Sequence, residues 1–395
     1  MAGVFPASAT DLADQVMPGH AVAPHEPDNL LRTLVSQTQL LAGLHWLNKS
    51  QVLACIPPGE AVPFENVAEM AYVSLAELSR VIRFTATFGF LSEPQTDLVA
   101  HTSLSRHFLN KTSLSDAIMF FGDAVFTQML KTPFTTQLQD RAAHGHSPFQ
   151  SLHPGTPFKL DAHYPPRLKR QATAFQRQVL QRALSSERTT ADLLGPWMAD
   201  PSPNTFTVVQ VCCEPDAIHV ARAIACRHPQ LYSVIQLDAE TGLVCDGSED
   251  DTNPGHVTIQ HCAPISAQRV KDAWLYIIHL PTPSVLPTPV DMLSCATHML
   301  WAHFDILRQN RSSRLVLVAN GLVGSAKVNS KAEAATRMYD LLLMQMTTDK
   351  QAITMNQMEQ LLSTIRDTSW GLVIWRKEIS DSHPTVAIEV GLAPI

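Results

Sequence analysis

The chain has 395 residues, 45% of them hydrophobic, with 29 Lys and Arg against 36 Asp and Glu for a formal charge of −7. So much apolar content with so little net charge excludes disorder as the overall state, and no window approaches the roughly 18 consecutive apolar residues that a spanning helix needs. Glycine is scarce: 16 residues, roughly 4% where an average protein has about 7%.

The start, Met1-Ala-Gly-Val-Phe-Pro6, lacks the basic-then-apolar layout of a signal peptide. Residues 1–28, rich in Ala, Pro and His without periodicity, read as a disordered leader. From Asn29 to Cys55, Leu30, Leu31, Leu34, Leu41, Leu44 and Leu47 recur at helical spacing, and Ile56-Pro-Pro-Gly59 stops that helix. Val62–Tyr72 reads as a short helix. Ser74 with Glu77 predicts a capping box for the next helix, which runs on to Gly89. Phe90–Glu93 and Leu98–His101 flank a polar turn and predict a hairpin, followed by a helix capped by Thr102 or Ser103. Helix, helix, hairpin is the order of a winged helix-turn-helix, here spanning residues 29–112.

Such a module invites a DNA-binding reading, and its charge argues against it. Residues 1–100 hold four basic side chains, Arg32, Lys49, Arg80 and Arg83, against ten acidic ones. Neutralising phosphates requires a positive face, so contact with protein, or dimerisation, is expected. The apolar helix at 29–55 would be hard to cover in a monomer, and predicts a homodimer.

Residues 113–200 read as a mainly helical linker region. Ser113–Leu130 carries an aromatic and Met stripe, Leu168–Leu184 a second helix, and Arg167-Leu-Lys-Arg170 a basic cluster that suits a solvated helix start or a nuclear-import signal. From 201 to 395 the pattern changes. Phe206–Cys212, Tyr232–Asp238, Val257–His261, Ala273–Leu280 and Leu315–Asn320 read as strands. Helices at Ala217–Arg227, Val290–Gln309, Lys331–Thr347 and Met355–Arg366 come between them or follow, and Gly371–Arg376 with Thr385–Val390 closes as a hairpin. This alternation predicts a doubly wound α/β domain.

The seven cysteines (55, 212, 213, 226, 245, 262 and 295) are irregularly spaced without His partners at zinc-ligand spacing, and His144-Gly-His146 is a lone loop pair. Free thiols in a reducing compartment and no structural metal are expected. The strand-turn-helix at 206–227, with Asp238 ending the second strand, has the layout of a nucleotide site. Glycines in that turn would let backbone approach the ligand. Instead the turn is Cys212-Cys213-Glu214-Pro215-Asp216, with a Cβ at every position, an N–H missing at Pro215 and two added carboxylates.

Residues 29–390 resemble a class I O-methyltransferase of fungal or plant type: a Rossmann-like domain preceded by a mainly helical winged-helix dimerisation domain. The resemblance aligns Gln210–Asp216 with the S-adenosylmethionine loop and gives Asp238 the ribose. It places His279, in Tyr276-Ile-Ile-His279-Leu-Pro, where the general base stands, without that family's Asp-Trp neighbours. The supporting Glu falls near Gln351. Three functional elements are degraded together while the framework survives. Val81–Pro94, Val99–Ser105, Asp116–Phe120, Ala273–Ser284, Asp340–Met346 and Thr385–Val390 further resemble a catalytically degenerate branch, the aflatoxin-regulator-type coactivators of fungal polyketide clusters, including those of emodin-derived products.

That resemblance implies a transcriptional coactivator, in the nucleus with the cytoplasm as a second location, that assists a pathway-specific zinc-cluster transcription factor. It would have no catalytic residue, no cofactor, and no nucleic-acid or membrane contact of its own. Two other readings remain open from the sequence. One is an active O-methyltransferase, with His279 deprotonating a phenol and Asp238 binding ribose. The other is a cofactor-free cyclase or pericyclase with an apolar cavity lined by Phe120, Phe121, Phe126, Met129 and Trp274.

Overall fold

In the computed structural model, residues 27–130, 165–184, 186–198, 207–212, 217–238, 256–262, 268–282, 284, 292–325, 330–346 and 352–395 are described. They fall into two compact units, one built from residues up to Leu130 together with 165–178, the other from Val179 onward. The expected leader, apart from its last two residues, lies outside the described residues, as does His144-Gly-His146.

Unit one opens with helix α1 (Pro27–Lys49) and a 3-10 turn (Val52–Cys55), then strand β1 (Val62–Pro63) and helices α2 (Phe64–Ala71) and α3 (Leu75–Ala86). Strands β2 (Leu91–Ser92) and β3 (Leu98–His101) form the antiparallel pair read from the sequence, with Leu91 opposite His101. Helices α4 (Ser103–Asn110) and α5 (Thr112–Phe120), a π-helical turn (Phe121–Phe126) and helix α6 (Pro166–Phe175) complete the unit. The helix faces follow from spacing: Phe64, Val67 and Ala68 on α2 and Leu78 and Ile82 on α3 are buried with Leu47, Val52, Phe90 and Val99 in one core. Buried His101 ties the hairpin down, Nδ1 meeting Ser105 Oγ at 2.8 Å and Nε2 the Leu53 carbonyl at 3.1 Å. Arg170 on α6 donates to both carboxylate oxygens of Asp116 on α5, at 2.7 and 3.1 Å, beside the Phe120–Phe175 ring pair.

Four expectations for this unit need correction. The helix read over 29–55 stops at Lys49, where Gln51 in left-handed backbone (φ 54) leads into the 3-10 turn. Val62–Pro63 is strand, not helix, because it pairs with Leu98–Val99 of β3. Ser74 precedes α3 in extended backbone, but its side chain makes no capping bond, so the Ser74–Glu77 box is not formed. The box appears instead at α4, where Thr102 accepts from the Ser105 N–H and Ser105 Oγ accepts from the Thr102 N–H. The helix read as reaching Gly89 stops at Ala86; Gly89 adopts φ +70, which leaves the helix at no steric cost.

Unit two holds, in order, α7 (Arg182–Leu184), α8 (Glu187–Met198), β4 (Thr207–Cys212), α9 (Ala217–Arg227), β5 (Tyr232–Asp238), β6 (Val257–Cys262), β7 (Leu275–His279), α10 (Met292–Gln309), β8 (Arg314–Asn320), α11 (Lys331–Met346), α12 (Met355–Thr364), β9 (Trp370–Ile379) and β10 (Thr385–Pro394). They build a seven-stranded sheet of order β6-β5-β4-β7-β8-β10-β9. Strands β4 to β8 run parallel, and β10 lies antiparallel to both β8 and β9. Helices cover both faces, which is why the central strands are apolar without alternation. Val209, Val211, Tyr276, Ile278, Leu315 and Leu317 pack on α10 and α12, while Val208, Leu275, Ile277, Val316 and Val318 pack on α8 and α9. No helix among the described residues is long and apolar enough to cross a membrane.

Candidate functional site

Parallel α/β sheets bind ligands at the carboxyl ends of their strands, where the strand order reverses. Here the order reverses about β4, between β5 and β7. Cys212 ends β4 and is the register partner of His279, which ends β7; Asp238 ends β5. The fold therefore brings three of the residues singled out from the sequence to adjacent strand ends. Cys213, Glu214, Pro215, Asp216 and Gln351 lie outside the described residues.

The two described side chains at these strand ends, Cys212 and His279, are both buried. Cys212 is buried, and burial pushes its thiol pKa up, so it stays protonated. His279 is buried as well, and desolvation pulls its pKa down to about 4, leaving it neutral at physiological pH. Its Nε2 lies 3.3 Å from Oε1 of Gln210, a side chain with no exposed surface. The Gln210 amide nitrogen already donates to the Ala221 carbonyl at 3.1 Å and to Ser233 Oγ at 3.3 Å. The oxygen end therefore faces His279, and the imidazole Nε2–H must donate to it. A nitrogen that holds its proton in a buried bond cannot collect one from a phenol at that atom. Among the described residues the strand-end imidazole is anchored by this side-chain amide.

A second buried network lies on the opposite face of the sheet. Gln236 on β5 and Gln268 exchange two amide bonds of 2.8 Å, and Gln268 Nε2 donates to His303 Nε2 at 3.2 Å. His303 Nδ1 in turn meets the Met299 carbonyl at 2.7 Å, so it carries the proton. Burial lowers this imidazole to about 4 too. The sequence placed Gln210 only at the start of the stretch aligned with the cofactor loop and gave Gln236 no role, although each was visible as a lone amide inside an apolar strand run.

The methyl-donor loop implied by the resemblance falls at the end of β4, where Cys212 is buried. A methyl-donor loop needs open, Cβ-free backbone at the end of β4, and that position holds a buried cysteine whose neighbours in sequence all carry side chains. Left-handed glycines do occur in unit two, but after β8: Gly321 (φ +73) and Gly324 (φ +81). The space at Gly321 is filled by Leu184, which an added Cβ would meet at 3.2 Å. Among the described residues, no cluster of three or more His, Cys, Asp or Glu could hold a metal ion. Of the side chains expected to line an apolar cavity, Phe120 and Phe121 stack on Phe175, at 5.6 and 5.8 Å, in unit one. Trp274 packs against the β4/β7 cluster of unit two.

Helical N-terminal region, seven-stranded mostly parallel sheet and reversed-order strand ends together define the class I O-methyltransferase fold. The riboflavin-analogue dimethyltransferase RosA from Streptomyces davawensis matches with a TM-score of 0.66 over 93% of this chain and 99% of that one, at 13% identity. LepI, solved in complex with SAM, matches at 0.62 over 97% and 93%, also at 13% identity. No protein-family model matches the chain. Its sequence relatives are of a different kind. The monodictyphenone cluster transcriptional coactivator mdpA of Emericella nidulans is 33% identical over 413 aligned positions, 92% of this chain and 84% of that protein. The aflatoxin cluster transcriptional coactivator aflS of Aspergillus flavus is 30% identical, covering 92% and 85%. The chain belongs to this family of transcriptional coactivators of fungal secondary-metabolite clusters.

Proposed function

We propose that this protein is a nuclear coactivator of an aromatic-polyketide gene cluster that works by binding the cluster's zinc-cluster transcription factor. The observation that carries the reading is kinship with cluster coactivators along 92% of the chain. The burial of His279 supports it: the imidazole is neutral and bonded to Gln210, and the methyltransferase-like scaffold is proposed to serve as a body for protein contact. Unit one is proposed as a winged-helix-like module that contacts protein rather than nucleic acid, and as the homodimer seam. In support of the seam, Leu30, Leu31, Leu34 and Val35 on the first turns of α1 are all exposed.

Deleting the gene tests the reading. Transcripts of the neighbouring biosynthetic genes should fall together, and the tagged protein should co-purify with the cluster's zinc-cluster regulator. Unchanged transcripts with one missing O-methylation would refute the proposal, as would tight S-adenosylmethionine binding by calorimetry.

A further inference from the structure

The corner where α2 turns into α3 exposes an apolar surface that the fold itself does not use. Tyr72 is 96% exposed, more than any other large hydrophobic side chain among the described residues, and Met70 (61%) and Leu75 (41%) flank it. Tyr72 closes α2 in left-handed backbone, φ 54, with its N–H directed to the Ala68 and Glu69 carbonyls. Folding alone would favour glycine there, since a Cβ in this conformation is strained.

The surrounding charges select what would cover it. Glu60, Glu65, Glu69 and Glu77 are all exposed. Glu65 and Glu69 stand one turn apart on α2, Glu69 three residues before Tyr72, and Glu77 lies in the first turn of α3. Among the described residues none of the four has an ion-pair partner. Elsewhere in unit one Glu93 and Asp97 are paired with Arg83, Asp116 with Arg170, and Asp123 with His45. Across residues 60–97 six carboxylates face two guanidinium groups, and one of those two, Arg83, is already held by Glu93 and Asp97. Phosphate backbones would be repelled from this corner, whereas cationic side chains alternating with an apolar one match it.

We propose that the α2–α3 corner is a docking surface for a Lys/Arg-rich segment of a partner protein. The basic side chains meet Glu65, Glu69 and Glu77, and an apolar side chain packs against Tyr72, Met70 and Leu75. That the partner is a transcriptional regulator rests on the function proposed above; the chemistry of the surface does not.

The test uses the full chain and a short fluorescent peptide of alternating Lys, Arg and Leu, read by anisotropy. The triple reversal Glu65→Lys, Glu69→Lys, Glu77→Lys is expected to weaken binding about tenfold, as three exposed charge pairs would. Tyr72→Gly should also weaken it about tenfold while the melting temperature holds or rises, because glycine suits φ 54; Tyr72→Asn, also tolerated there, serves as the second variant. Asp305→Lys on α10 should change nothing. Equal binding by wild type and these corner variants overturns the proposal. So does preferential binding of duplex DNA, or a shift in oligomeric state on Tyr72 replacement, which would assign the corner to a second copy. If the cluster's regulator is captured equally by wild type and the triple variant, the surface is wrong and the coactivator reading stands. If wild type captures no regulator and cluster transcripts are unchanged on deletion, the coactivator reading is wrong, and the peptide titration alone decides the surface.

Discussion

Acidification should loosen unit two through its two buried imidazoles. His279 and His303 ordinarily titrate near 6.5, and burial lowers each to about 4 in the folded chain. Between those values the unfolded chain binds protons that the folded chain refuses, so stability is fully present above about pH 6.5 and is lost as pH falls towards 4. The geometry gives the reason. Protonating His303 would turn Nε2–H against the Gln268 amide hydrogens, and a charged His279 would carry its charge in a buried site beside Gln210 Oε1. Linkage puts the loss at about 2 kcal/mol per histidine by pH 5 and about 3 by pH 4, against total stabilities of about 5–15 kcal/mol. Urea unfolding at pH 7.5, 6 and 5 measures it. Carboxylates also titrate in acid, so the informative comparison is with His279→Gln, which keeps a donor for Gln210 and cannot titrate. The stability advantage of wild type over this variant should shrink by about 2 kcal/mol between pH 7.5 and 5. An advantage that stays constant across that range would refute neutral burial of His279, and would reopen the strand end to acid–base chemistry.

Other perturbations test packing at named points. Gly122→Ala places a Cβ 2.5 Å from His45 Cδ2, and the ring cannot yield without losing its 2.8 Å bond to Asp123; a loss of about 1–3 kcal/mol is expected by thermal unfolding, relieved when His45→Ala is added. Thr102→Ala removes the acceptor for Ser105 N and the 2.7 Å bond to the Phe90 carbonyl, and should cost about 1–2 kcal/mol by urea titration, whereas Ser74→Ala, with no capping bond to lose, should cost far less. Gly391→Ala drives a methyl into the Trp375 ring that covers this glycine, and should lower stability by about 1–3 kcal/mol with a shift in tryptophan emission.

Much of unit two was legible in the chain. Ala217–Arg227 and Tyr232–Asp238 occupy the spans read for them, because a helix packed on one face repeats every three to four residues and a strand buried on both faces is apolar throughout. The absence of glycine from residues 212–216 was equally plain, being a matter of residue type alone. Long-range pairing decided the rest. Val62–Pro63 is strand only because Leu98 and Val99 arrive beside it, and β9 and β10 run well past the short hairpin expected because each lengthens the other's ladder. The π-helical turn at Phe121–Phe126 and the continuation of α8 through Pro196 left no mark in the periodicity. The strand-end site shows the division most clearly. The sequence by itself determined that His279 lies near the end of a buried-strand run and that residues 212–216 contain no glycine. Only the tertiary structure decided that His279 is a buried, neutral donor, since the amide that holds it, Gln210, lies 69 residues away in the chain and meets it through the parallel register of β4 and β7.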